Sequence, residues 1–296
     1  MIWETIKQKI KRKHLIYGGA GLGFLLIALW AFRPTSQPVE FAKVEKGPYE
    51  QILQEDGTTQ VREKFTVLSP YSGQLQRVER HAGEAVKKGE VLATVIWDQP
   101  TPIRSPETGF ILKVFREDAG PIEIGSPIME VGNTASLEIA IDVLTADAVN
   151  VKAGNMVRIV RWGGPRPLAA KVRVVQPQAF IKISSLGVEE RRVRVLADII
   201  TPRDEWKGLG DNFRLECQII TFRADSALKI HTGALFREGD GWAVYRVIKG
   251  RAKKTPVKIK MRGALEALVE SGLTEGEEVV LYPGDLVVEG SRVKEM

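Results

Sequence analysis

The sequence predicts a mainly β protein, with elongated β modules following a single N-terminal transmembrane helix. Three observations predict it. An uncharged run of 18 residues follows a basic start. Further on, a short motif occurs twice at an offset of 36 residues. The rest of the 296 residues is dominated by short segments in which Val and Ile alternate with charge, punctuated by Gly and Pro.

Residues 1–14 hold Lys7, Lys9, Lys11, Arg12 and Lys13 against Glu4 and read as a cytoplasmic N-terminus. Residues 15–32 read as the transmembrane anchor. At about 1.5 Å per residue the run reaches roughly 27 Å, close to the roughly 30 Å of a bilayer core. Tyr17 and Trp30 stand near its ends, where amphipathic rings prefer the interface. A cleaved signal peptide is the competing reading. The run is longer than a typical signal core, however, and Trp30-Ala31-Phe32-Arg33 offers no small-residue cleavage site. Cations ahead of the span keep the N-terminus inside, which makes this a single-pass inner-membrane protein with its bulk in the periplasm. With Arg33 added, this start accounts for nearly all of the net charge of +6. The remainder is close to neutral and carries no footprint for nucleic acid.

Residues 33–66 are expected to be a linker and strands returning to the later modules. The strands fall at 39–44, 49–56 and 65–68, with turns at Lys46-Gly47-Pro48 and Asp56-Gly57. Residues 67–133 hold the repeat. Ser69-Pro70-Tyr71-Ser72-Gly73 returns as Ser105-Pro106-Glu107-Thr108-Gly109. Val78 then matches Val114, Gly89 matches Gly125, Leu92 matches Ile128 and Val95 matches Val131, while Gly83 matches Gly120 one residue late. One copy has a single apolar face and nothing to bury it against, so two copies must close a small sandwich together.

Residues 134–225 contain alternating segments at 137–143, 157–160, 171–175, 192–200 and 215–222, the pattern of a small β-barrel. The helical candidate there is 145–150. Trp162 and Trp206 read as caps on the barrel core, and the single cysteine, Cys217, as a buried small hydrophobe. Residues 226–296 form a last β-domain, with hairpin turns at Glu238-Gly239-Asp240-Gly241 and Lys249-Gly250. Apolar Ala264, Leu265, Leu268 and Val269 at helical spacing predict a turn of helix over 264–270. His14, His81 and His231 are the only histidines, and no nucleophile elbow, phosphate loop or zinc set accompanies them. This composition does not point to an enzyme.

The paired motif, the segment Leu137–Val143 with Val151-Lys152-Ala153-Gly154, and the segment Ile230–Phe236 with Trp242–Tyr245 and Ser271–Val280 occur in one anchored chain. That order resembles the HlyD-like periplasmic adaptors, or membrane fusion proteins, of efflux and secretion systems. The resemblance covers about residues 40–296. It implies a lipoyl-like barrel-sandwich hybrid, a small β-barrel and a membrane-proximal β-domain, with no cofactor. It also implies an inner-membrane transporter of the RND or ABC type as partner and a homo-oligomeric ring. The family usually inserts a long α-helical hairpin between the lipoyl halves, whose tip meets an outer-membrane channel. Here Ile96–Ile103 joins them, and eight residues cannot form apolar heptads in two arms. A true biotin or lipoyl carrier needs an acceptor lysine at that connection, and Trp97-Asp98-Gln99-Pro100-Thr101 has none.

Two candidate contact surfaces follow. Trp97, Asp98, Gln99 and Pro100 at the sandwich tip are candidates for partner contact, with packing of Trp97 on Pro102 as the alternative. Glu189, Glu190, Arg191 and Arg192 are either a solvated turn or a salt-bridge rim between subunits. The function from a different class is a membrane-tethered periplasmic scaffold or sensor that binds a protein or the cell wall without transport.

Overall fold

The computed structural model describes residues 36–296, which form two units: residues 50–223, and residues 36–49 together with 224–296. The expected anchor at 15–32 lies outside the described residues. Among the described residues no helix is long and apolar enough to cross a membrane.

Within residues 50–223 the first core belongs to the repeat. Two four-stranded sheets face each other. One contains Gly73–Leu75, Val91–Ile96, Pro100–Arg104 and Gly120–Ile122; the other contains Lys64–Leu68, Ala85–Val86, Gly109–Val114 and Pro127–Gly132. Each half of the repeat therefore gives strands to both sheets. The registers reproduce each other at the sequence offset: Ile96 opposite Pro100 corresponds to Gly132 opposite Lys64, and Val91 opposite Arg104 to Pro127 opposite Leu68. Even the bulge recurs, between Val91 and Ala93 and between Pro127 and Met129. Gly120 stands opposite Leu75 as Glu84 bonds Ile111, so the equivalent of Gly120 is Glu84 and not the expected Gly83. Leu75, Val95, Ile111, Ile128, Met129 and Val131 are fully buried between the sheets.

The second core is a closed six-stranded barrel. In order, it joins Met156–Val160, Leu168–Ile183, Glu189–Ile199, Leu137–Leu144, Glu45–Val61 and Arg214–His231, which returns to the first strand. Ile139, Ile141, Ile159, Val195 and Ile219 fill it, with Cys217 fully buried among them and its thiol pushed up by burial. Trp206 is buried in this core and Trp162 packs against it. The expected helix is present as Thr145–Ala148.

The expected turns at Lys46-Gly47-Pro48 and Asp56-Gly57 are absent, because both lie inside the strand Glu45–Val61. Gly57 is there for space and not for a turn. A Cβ on it would stand 2.8 Å from Cys217 Sγ and 3.1 Å from Ile139 and Leu215.

In the unit of residues 36–49 and 224–296, the hairpin Gly241–Ile248/Arg251–Arg262 turns through Lys249 and Gly250, both at positive φ. Glu266–Ser271 pairs with Arg251–Arg262, and Phe41–Lys43 pairs with Glu278–Val280. Val44, Ile230, Val244, Ala267 and Val279 form the core. The turn of helix expected over 264–270 is instead the strand Glu266–Ser271. Ala267, Leu268 and Val269 are all buried between two partner strands, while Leu265, read as part of the apolar face, is exposed. Over so few residues an apolar run fits a buried strand as well as a helix, and pairing decided it.

Gly73 and Gly109 support a direct test of the symmetry. A Cβ at Gly73 would meet Ile96 O at 2.3 Å, and one at Gly109 would meet Gly132 O at 2.4 Å. Gly73→Ala and Gly109→Ala should each destabilise the protein by a similar amount, about 3 kcal/mol, since backbone cannot yield as a side-chain end can. Denaturant unfolding checks this; tolerance of either substitution would contradict the equivalence.

Candidate functional site

The sandwich tip is built by the tight connection between Val91–Ile96 and Pro100–Arg104. Ile96 and Pro100 are the last pair, so Trp97-Asp98-Gln99 is the whole loop. Trp97 does not bury itself. It is 69% exposed and lies flat on Tyr71, with centroids 5.6 Å apart and planes 5° from parallel. Tyr71 is held by the chain around it: the Ser69 hydroxyl donates to Tyr71 O at 2.7 Å, and the Ile124 N–H donates to Ser72 Oγ at 3.0 Å. That last bond ties Ile124, itself 68% exposed, to the residue that follows Tyr71. Asp98 and Gln99 are exposed, and Gln99 O accepts from the Thr101 hydroxyl at 3.2 Å.

The repeat supplies an internal control for this surface. Its other end has the same backbone bonds: the Ser105 hydroxyl donates to Glu107 O at 2.7 Å, and the Lys88 N–H donates to Thr108 Oγ1 at 3.1 Å. There the positions equivalent to Tyr71, Trp97 and Ile124 hold Glu107, Asn133 and Lys88. Lys88 and Glu107 form an exposed ion pair at 3.6 Å. One backbone thus tolerates a charged end and an aromatic end, so the fold itself does not require the rings at the tip. Tyr71 and Ile124 were not among the candidate residues, although the offset of the repeat, applied to side chains, marks them.

Glu189, Glu190, Arg191 and Arg192 do not form a turn. They open the strand Glu189–Ile199, and the turn is Ser184–Val188 before them. Strand alternation splits them onto two faces. Arg192 bonds Glu55 at 2.9 Å and Glu190 at 2.8 Å, and these two bonds outweigh burial and hold its guanidinium above its ordinary pKa. On the same face Lys182 and Arg194 bond Asp142 at 2.9 and 3.1 Å. Burial pushes the Asp142 carboxyl up, but the two cations outweigh it and hold it below its ordinary pKa. Glu55, Asp142, Lys182, Glu190 and Arg192 line a cleft of about 530 Å³ with Thr58, Ile183, Ser184 and Leu186. Glu190 and Arg192 are thereby occupied within the chain, whereas Glu189 and Arg191 face the other way and are exposed. Glu55, Asp142 and Lys182 were not legible as part of this surface, because only pairing brings them together.

The histidines stay apart from both surfaces. His81 is exposed beside Glu84 at 3.0 Å, and His231 accepts the Gly233 N–H at 3.1 Å. Among the described residues no cluster of His, Cys, Asp and Glu could hold a metal.

Comparison with known proteins agrees with this architecture. Residues 66–131 match the family described as "Biotin-requiring enzyme", and residues 227–295 match "YknX, C-terminal permuted SH3-like domain". The chain is 24% identical over 201 residues to "Putative efflux system component YknX" of Bacillus subtilis (strain 168), covering 65% of this chain and 51% of that protein. It is 24% identical over 99 residues to "Putative efflux system component YhbJ" of the same organism, covering 33% and 45%. The chain thus spans about half the length of the curated relatives it matches. Among solved structures it is similar to MacA from Actinobacillus actinomycetemcomitans, with a TM-score of 0.63, 15% identity, and coverage of 82% and 99%. It is also similar to a MacA-MexA chimeric protein containing the Pseudomonas aeruginosa MexA alpha-hairpin domain, with a TM-score of 0.59, 17% identity and the same coverage of 82% and 99%. At these identities the likeness is one of fold.

The Asp142 cluster makes a prediction about acid stability. A carboxylate whose folded pKa is depressed contributes stability above its unfolded pKa, about 4, and loses it as pH falls through the folded value. Asp142→Asn should therefore cost roughly 1 kcal/mol at neutral pH and less at about pH 3, because below the unfolded pKa the wild type has begun to lose the same contribution. Urea midpoints at the two pH values measure the difference; an equal cost at both would refute it.

Proposed function

We propose, from its resemblance to the HlyD-like membrane fusion proteins, that this chain is an adaptor coupling an inner-membrane transporter of the RND or ABC type to export across the envelope. The lipoyl-like module is architectural, and the protein is not an enzyme. In this reading residues 15–32 anchor the chain with its N-terminus in the cytoplasm, and the bulk lies in the periplasm as a homo-oligomeric ring. Residues 226–296 are the membrane-proximal domain that sits on the transporter, and residues 134–225 and 67–133 are the barrel and sandwich that line or seal the passage. Substrate passes without chemical change.

The observation that carries this reading is the broken symmetry of the sandwich. Two ends share one backbone. One ends in a Lys88–Glu107 ion pair, the other in a stacked Tyr71–Trp97 pair with Ile124 tied to the residue after Tyr71. Exposed rings with fixed geometry lose little entropy when a partner covers them, which suits a contact surface. The tip residues Trp97, Asp98, Gln99 and Pro100, with Tyr71, are therefore assigned to a protein partner on the exit side. The tight loop leaves no coiled-coil arm with which to reach an outer-membrane channel.

Affinity recovery of the full chain from detergent-solubilised membranes tests this assignment. The wild type is expected to bring a transporter with it. The double variant Tyr71→Ala/Trp97→Ala should keep its stability to within about 0.5 kcal/mol, as exposed sites do. It should also retain the transporter, yet lose export about tenfold or more, the equivalent of about 1.4 kcal/mol. Repeated recovery of only envelope or wall components with the wild type would sink the adaptor reading in favour of a tethered scaffold or sensor.

A further inference from the structure

One end of the unit formed by residues 36–49 and 224–296 is crowded with cations. The hairpin Gly241–Ile248/Arg251–Arg262 turns there, and Val293–Glu295 approaches its second strand. Arg251 and Arg292 stand opposite each other in an isolated bridge, and the Val293 N–H donates to Gly250 O at 3.0 Å. Val293 and Ala252 point inward, where they are buried together with Val287. Strand alternation then sends Arg251, Lys253, Arg292 and Lys294 to the opposite face, and Ile248, paired with Arg251, shares it. Lys249 stands in the turn itself, at φ 50°. All six of these side chains are exposed.

The five cations make no ion pair among the described residues. Elsewhere in the unit Lys229, Arg246, Lys254 and Lys258 each bond a glutamate. The acids close to the cations are mostly committed. Glu277 bonds Arg246 and Glu289 accepts the Lys254 N–H, which leaves the exposed Glu40 and Glu295 on these strands. This end is therefore net positive.

The chain enters the unit at this same end. The Gln37 N–H donates to Arg292 O at 2.8 Å, and Gln37 pairs with Val293. With the anchor at 15–32, only residues 33–36 separate it from Gln37. A chain covers at most about 3.6 Å per residue, so Gln37 stays within about 18 Å of the end of the anchor.

We propose that this cationic end rests on the anionic phospholipid headgroups around the chain's own anchor. The inference rests on the anchored-adaptor reading and deepens it, leaving the other faces of the domain to the transporter. A lipid surface is favoured over an acidic protein loop because so short a tether keeps headgroups within reach whether or not a transporter is bound. Long Lys and Arg side chains on an open face suit a surface of mobile phosphates. Ile248, 39% exposed among them, adds an apolar contact at the headgroup boundary.

Fluorescence quenching in proteoliposomes tests the contact. The full chain, held by its anchor, carries a fluorophore on Ile248→Cys; Cys217 is the one natural cysteine and is fully buried, so it stays unlabelled. With a headgroup spin-labelled lipid as quencher, phosphatidylglycerol in the vesicles should raise quenching about threefold or more over pure phosphatidylcholine. The increase should vanish at about 1 M salt, where the Debye length is about 3 Å. It should also vanish in the variant Arg251→Gln/Lys253→Gln/Arg292→Gln/Lys294→Gln. A label on Leu265→Cys, 71% exposed and beyond the other end of Arg251–Arg262, should not respond to lipid charge. Equal quenching with and without phosphatidylglycerol would overturn the proposal and leave the cations to an acidic protein. An increase that survives salt or the glutamine variant, or that is as large at Leu265→Cys, would overturn it too. Release of the chain from the vesicles by alkaline carbonate would remove the anchor and this inference with it, while recovery of a transporter separately decides the adaptor reading.

Discussion

The fold of the sandwich depends on a reciprocal exchange of backbone hydrogen bonds between two half-motifs. Gly89 N–H donates to Ser105 O and Gly125 N–H donates to Ser69 O, both at 2.8 Å. The return bonds, Ser105 N–H to Glu90 O and Ser69 N–H to Ser126 O, are 2.8 and 2.9 Å. Each of these groups would lose its partner in a half-motif alone; Ser69 and Ser105 are buried, and a buried unpaired backbone group costs on the order of 1–3 kcal/mol. Gly73 and Gly109 then let each half lay its own strands against each other, at Ile96 O and Gly132 O, where no Cβ would fit. Neither half can be complete by itself. Once both are present, the loops at each end are fixed by main chain and small hydroxyls, which leaves the outward side chains free to differ.

How much of this was legible in the sequence follows from the kind of signal each feature leaves. The repeat was legible because its glycines and serines serve backbone geometry, and backbone geometry is what recurs at a fixed offset. Gly57 was misread for a related reason. A glycine marks either a bend or a close approach, and only the packing of Cys217, Ile139 and Leu215 against it says which. The segment 264–270 failed because Leu265, Leu268 and Val269 fit two periods over so short a stretch, and pairing to Lys229–His231 decided the outcome. The charges at 189–192 were read as a solvated turn or a rim between subunits because four consecutive charged residues suggest solvent. In a strand, however, alternation puts Glu190 and Arg192 on one face, where Arg192 bonds both Glu190 and Glu55, which lies more than a hundred residues earlier in the chain.

The joint between sandwich and barrel, both within residues 50–223, shows the same economy. Thr59 is almost fully buried; its hydroxyl donates to Gly210 O at 2.7 Å and accepts from the Phe213 N–H at 2.8 Å. Two residues on, the Val61 N–H donates to Asp211 Oδ1 at 2.7 Å, while Lys64 bonds the other oxygen of Asp211 at 2.6 Å and approaches Glu130 of the sandwich at 3.7 Å. Gly132 completes the seam, since a Cβ there would stand 2.9 Å from both Leu112 and Val61. Polar bonds to a loop and a side-chain-free crossing hold the two cores in register at this seam. Such a joint is stiffer than a flexible linker, which is what the proposed adaptor role calls for.

The same reasoning explains why a three-residue tip is compatible with a fold elsewhere interrupted by a helical hairpin. Ile96 and Pro100 form the last pair of their strands, and the exchange bonds that close the sandwich all lie on the inner side of that pair. Lengthening a loop there adds only a slowly growing closure entropy, about 0.6 kcal/mol per doubling, and breaks none of those bonds. The sandwich is therefore indifferent to what its tip carries, and the tip is where members of such a fold can differ in reach. In this chain the space is closed by a stacked Tyr71 and Trp97. In the proposed reading, a stacked aromatic pair on a short loop gives up length for a contact that needs little ordering when a partner arrives. Whatever meets this tip must come down to it, because nothing in the loop can extend to meet its partner.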